Sequence, residues 1–81
     1  MHEYAVTFAQ SARKDLERLS ASVVSRIFPQ IEALAINPRP PRCRKITGSE
    51  NLWRIRVGDY RVVYQVLDAE RVVDVIAVRQ R

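Results

Sequence analysis

The chain has 81 residues and a formal net charge of +5, which bounds it to one small domain, residues 1–81, with enough core to fold but little margin. It holds no apolar run long enough to span a bilayer and no charged-then-apolar leader, so neither a membrane partner nor export is expected, and the location implied is cytoplasmic. A single cysteine, Cys43, excludes an internal disulfide and makes no metal-ligand pattern, so no metal or cofactor is expected. Residues 3–8 alternate, with Tyr4, Val6 and Phe8 on one side, and predict a first strand. Residues 10–19 predict a helix whose narrow apolar stripe is Ala12, Leu16 and Leu19, with Arg13, Lys14, Asp15, Glu17 and Arg18 facing water. Ser20 or Ser22 can cap a second helix carrying Val23, Val24, Ile27, Ile31 and Leu34. Pro29 lies inside that helix and is expected to kink or divide it, and Asn37-Pro38 ends it.

Residues 37–44 form a stiff, basic, proline-rich loop. Two strands follow, roughly 50–57 and 60–67, joined by Gly58-Asp59, a pair that suits a two-residue hairpin turn with glycine at the position of positive φ. That turn sets Val57 opposite Tyr60 and Arg56 opposite Arg61. Period-two alternation then puts Trp53, Ile55, Val57, Tyr60, Val62 and Tyr64 on one face and Arg54, Arg56 and Arg61 on the other. A valine-rich last strand spans 71–79. With a three-residue turn at 68–70, Leu67 pairs with Arg71 and Arg61 with Ala77. Arg79 and Arg81 then join the arginine face, Val63, Val75 and Ala77 form an apolar floor, and Asp74 points toward the helices. A turn one residue longer or shorter reverses that assignment. The element order β-α-α-β-β-β predicts an α+β fold, a small antiparallel sheet with two helices packed on one face.

Charge is uneven along the chain. Twelve of the fourteen basic residues are arginine, and from Arg42 to Arg61 six basic residues face two acidic ones. Arginine presents a planar fork that matches phosphate. Like charges set across a strand pair cost roughly 0.2–1 kcal/mol per pair. A clustered arginine face therefore points to an anionic partner, nucleic acid or an acidic protein. The alternative is a solvated face, or one neutralised by Glu50, Asp59 and Asp74. Trp53, Tyr60 and Tyr64 are expected in the core.

The sequence resembles the RelE/ParE superfamily of toxins over nearly its whole length. The resemblance rests on the opening strand with the SARKDLERL helix, the second helix ending in Asn37-Pro38, the step Lys45-Ile46-Thr47-Gly48, and the run from Trp53 to Tyr64, WRIRVGDYRVVY. The closing Val78-Arg79-Gln80-Arg81 also fits. It implies a RelE-like fold and the toxin of a toxin–antitoxin system, a metal-free, ribosome-dependent endoribonuclease that cuts mRNA in the A site by attack of the ribose 2′-OH. Arg54, Arg56, Arg61 and Arg81 match basic positions of the RelE active site, and Arg44, Lys45 and Arg79 are implied RNA contacts. The partners implied are the ribosome and mRNA, an acidic, partly disordered antitoxin, and operator DNA only through that antitoxin. Two departures stand out. Well-known RelE members carry lysine where Arg54 and Arg56 stand, and many carry a tyrosine beyond the position of Arg81. No general base is assigned, and His2 matches no motif. The resemblance leaves two alternatives: a ParE-like inhibitor of DNA gyrase, or a catalytically disarmed member that binds only RNA or its antitoxin.

Overall fold

The structure, a computed structural model, describes residues 3–80. Its elements are β1 (Ala5–Phe8), α1 (Gln10–Glu17), α2 (Ala21–Ala33), β2 (Arg44–Lys45), β3 (Leu52–Val57), β4 (Tyr60–Leu67) and β5 (Val72–Gln80). The strands form one sheet in the order β1-β5-β4-β3-β2. Two helices and a sheet were expected, but the sheet is mixed rather than wholly antiparallel. β1 runs parallel to β5, from Ala5 opposite Val72 to Phe8 opposite Val75. Alternation in β1 predicts a strand but not its neighbour, which lies at the other end of the chain. A bond of 2.7 Å from the Thr7 hydroxyl to Asp74 fastens this pairing.

Both helices pack on the apolar face. Ala12, Ile27, Ile31 and Leu34 meet Ile55, Val62, Tyr64, Val66, Val73, Val75 and Val78, all almost fully buried. Helix α1 ends at Glu17, two residues short of the expected limit. Ser20 caps α2, its hydroxyl accepting from the Val23 amide at 3.3 Å. Pro29 does not divide α2, which continues as one helix to Ala33. The amide that Pro29 lacks would have served the Ser25 carbonyl, and both residues lie on the exposed side, where water can take its place.

The last strand departs most from expectation. The β4–β5 turn spans four residues, because Arg71 takes φ +56° and strand geometry begins only at Val72. Leu67 therefore pairs with Val72, and Arg61 with Arg79 rather than with Ala77. The extra turn residue alone would reverse the faces of β5. A bulge reverses them again: Tyr64 pairs with Val75 and Val63 with Ala77, which leaves Ile76 without a partner. Before the bulge Val73 and Val75 point into the core, and Asp74 lies opposite Gln65 on the outer face. Val75 is thus a core residue, not part of the outer floor, and Asp74 does not point toward the helices. After the bulge Ala77 and Arg79 lie on the outer face and Val78 in the core.

Tyr64 links the core to the basic loop. Its ring is buried, and its hydroxyl donates to the Pro38 carbonyl at 2.7 Å. Burial pushes its pKa well above the usual tyrosine value. Tyr64→Phe leaves that carbonyl without its donor and is expected to lower stability by about 1–3 kcal/mol in chemical denaturation. Because the folded pKa is raised, the native protein loses stability as pH climbs past the unfolded value of about 10. The Phe variant should lose part of that alkaline slope.

Candidate nucleic-acid interface

The Gly58-Asp59 turn positions the outer face. Gly58 has φ +60° and Asp59 does not enter the positive region, which is the type II′ pattern. As expected, Val57 pairs with Tyr60 and Arg56 with Arg61. Arg79 extends this row onto β5, so Arg56, Arg61 and Arg79 lie side by side across three strands. Two residues back along β3, roughly 7 Å away at strand rise, a second row runs Arg44, Arg54, Val63, Ala77. Arg44 enters it through β2, a two-residue strand that sequence alternation is too short to reveal within the predicted loop.

The rows enclose a shallow cavity of about 360 Å³. Arg54, Arg61 and Arg79 border it, Val63 and Ala77 line its floor, and Lys45-Ile46-Thr47 form one wall. A second depression, about 310 Å³, lies among Arg42, Arg44, Arg54 and Arg56, so Arg54 separates the two. Ile46 and Thr47 were not foreseen as lining residues, because only the pairing of β2 with β3 brings them to the sheet. The floor is apolar and the rim cationic, an arrangement suited to a chain of phosphates with a sugar or base between them.

Of the carboxylates suggested as internal neutralisers, Asp74 is bonded to Thr7, whereas Arg79 pairs with Asp15 of α1. Lys45 lies opposite Trp53, with its ammonium 6.0 Å from the indole centroid, and the same residue borders the cavity. Arg81 and His2 lie outside the described residues. Trp53, Tyr60 and Tyr64 pack with the core as expected, although the Trp53 indole N–H is buried without a hydrogen-bond partner among the described residues.

The basic loop is also tied to the turn that follows β4. Arg39 makes two bonds to Asp68, at 3.3 and 2.7 Å, and its guanidinium lies 5.3 Å from the Trp53 centroid. The Tyr4 hydroxyl donates to the same carboxylate at 2.7 Å. Arg39 first, then Tyr4, holds the Asp68 pKa below the ordinary carboxylate value, and the bond to Asp68 raises that of Tyr4. A lowered folded pKa contributes stability above the unfolded value, and that contribution is lost on acidification. This tie should therefore weaken as pH falls below about 4. Thermal melts from neutral to acid pH are expected to show a shallower acid slope for Asp68→Asn than for the wild type.

The family described as ParE toxin of type II toxin-antitoxin system, parDE, matches residues 6–81. The chain belongs to the RelE/ParE toxin superfamily. Toxin RelE of Mycobacterium tuberculosis is 32% identical over 99% of this chain and 84% of its own length. The mRNA interferase toxin RelE of Escherichia coli K12 is 30% identical over 96% of this chain and 83% of its own. The toxin chain in the crystal structure of the intact E. coli RelBE toxin–antitoxin complex superposes with a TM-score of 0.85 at 29% identity, covering 96% of each chain. The protein is thus a RelE-like toxin of a toxin–antitoxin system. In this RelE-like toxin Arg44, Arg54, Arg56, Arg61 and Arg79 share one face of the sheet, and Lys45 stands at its border.

Proposed function

We propose that this toxin is a ribosome-dependent endoribonuclease that cuts mRNA in the A site, acting in the cytoplasm as a single domain over residues 1–81 and without a metal. The convergence of Arg54, Arg61 and Arg79 on one apolar-floored cavity carries this reading. Cleavage by the ribose 2′-OH places extra negative charge on the phosphorus oxygens while the 5′-oxygen leaves, and fixed cations stabilise that charge. Arg61 and Arg81 hold the scissile phosphate. Arg54 and Arg56 orient the RNA and neutralise the transition state. Arg44, Lys45 and Arg79 contact neighbouring phosphates. A guanidinium stays protonated, so the 2′ proton passes to an acceptor outside the arginine set, such as a group of the ribosome.

The antitoxin is an acidic, partly disordered chain that folds over the basic toxin and neutralises it. The similarity to a chain of the E. coli RelBE toxin–antitoxin complex supports such a partner. Operator DNA is reached only through the antitoxin. A second reading, inhibition of DNA gyrase by protein binding, is favoured by the ParE description of the matching family. Induced expression separates the two. Rapid arrest of amino-acid incorporation with normal plasmid supercoiling is expected. Continued translation with relaxed plasmid and filamentous cells would replace the nuclease reading with the gyrase one.

A further inference from the structure

Helix α1 occupies the stretch of β5 that β1 does not reach. β1 pairs with β5 only as far as Val75, where the Ala9 amide donates to the Val75 carbonyl at 2.9 Å. Beyond that point α1 supplies the partners. The Ser11 hydroxyl donates to the carbonyl of the bulged Ile76 at 2.6 Å, and the Asp15 carboxylate accepts from the Val78 amide at 3.0 Å. Ser11 and Asp15 are one helical turn apart and share a face of α1. Asp15 was expected to face water. Its side chain is only 12% exposed, and the oxygen that accepts from Val78 lies 3.3 Å from the Arg79 Nε.

Arg79 stands directly across from Arg61, a like-charge pair that ordinarily pushes its long side chains apart. A guanidinium held at Nε keeps both terminal amino groups free for a second anion. We infer that Asp15 is a positioning residue: anchored on α1 and fixed by the Val78 amide, it holds Arg79 by Nε so that its terminal amino groups stay in the arginine row, beside Arg61, to meet a phosphate of single-stranded RNA. This rests on reading the arginine face as an RNA site. It assigns to α1 a direct part in shaping that site from the opposite edge of β5.

The full chain can be tested in wild-type form and as Asp15→Asn, Arg79→Ala, the double variant, Ser11→Ala and Arg61→Ala. Asparagine keeps an acceptor for the Val78 amide and removes the charge facing Arg79. Two readouts are needed: the Arg79 Nε–H resonance in 15N-labelled protein, and affinity for a short single-stranded RNA oligonucleotide at low salt. Asp15→Asn is expected to shift or broaden the Arg79 signal and to weaken RNA binding by about threefold to tenfold, with no further loss in the Arg79→Ala background. Ser11→Ala, which loosens the same strand edge without touching Arg79, should leave the affinity unchanged. Equal losses from Asp15→Asn with and without Arg79, or the same loss from Ser11→Ala, would make Asp15 a strand-edge cap and overturn the inference. If Arg61→Ala weakens binding while Asp15→Asn does not, the inference alone fails. If neither Arg61→Ala nor Arg79→Ala changes affinity, the RNA reading of the face fails, and the inference with it.

Discussion

Arg61→Ala is expected to abolish growth arrest on induced expression while leaving a folded, soluble toxin. Arg61 sits at the centre of its row, between Arg56 on β3 and Arg79 on β5, and borders the apolar-floored cavity. Loss of one fixed donor to a transition-state oxyanion costs on the order of 100- to 1000-fold in rate. Stability should move in the other direction, if at all. The substitution removes one charge from two like-charge cross-strand pairs, each unfavourable by roughly 0.2–1 kcal/mol. A variant as toxic as the wild type, with an unchanged melting temperature, would remove Arg61 from the mechanism.

Insertion of one alanine between Ala77 and Val78 is expected to be the most damaging single change to the fold. The bulge corrects the face of everything that follows it in β5. An inserted residue would carry Val78 to the solvent side and direct Arg79 toward the core, whereas deletion of Ile76 would only close the bulge and keep Ala77 opposite Val63. Exposure of Val78 loses about 1.5–3 kcal/mol of burial. The inward turn of Arg79 sets an unpaired charge against apolar side chains, which costs several kcal/mol more. The two together approach the 5–15 kcal/mol by which whole domains are stable. The chain should therefore either fail to fold or release the end of β5, and lose the arginine row in both cases. Circular dichroism melts would show which. Ile76→Val, by contrast, keeps the residue count and should be nearly neutral. An insertion variant that melts like the wild type would mean that this alternation does not fix the faces of β5.

The comparison of these two sites shows what the sequence carries and where it stops. The β3–β4 hairpin was legible in full, because Gly58-Asp59 fixes the turn length and strict alternation then assigns every face. β5 was not. Its register depends on Arg71 in a left-handed conformation that sequence ordinarily reserves for glycine, and on a bulge at Ile76 that leaves no residue signature. These are two one-residue shifts of opposite effect. They cancel at Ala77 and Arg79, which is why those residues lie on the expected face although the expected pairing was wrong. They do not cancel at Val75 and Asp74, which change places. β1 was legible as a strand and illegible as the parallel neighbour of β5, because alternation describes one strand and not its partner. The same limit hid Asp15. On a helical wheel it belongs to the charged face, and only the short reach of β1 along β5 turns that position toward a strand edge. Arg81, matched by resemblance to an active-site position, falls outside the described residues.

The arginine face is proposed as an RNA-cleaving site that works on the ribosome. The most direct measurement adds purified toxin to ribosomes programmed with a defined A-site codon and maps the mRNA by primer extension. A cut within the A-site codon is expected, absent on the same RNA without ribosomes and lost with Arg61→Ala. Intact mRNA after incubation with folded wild-type toxin would contradict it, and the arginine rows would then be a binding surface rather than an active site.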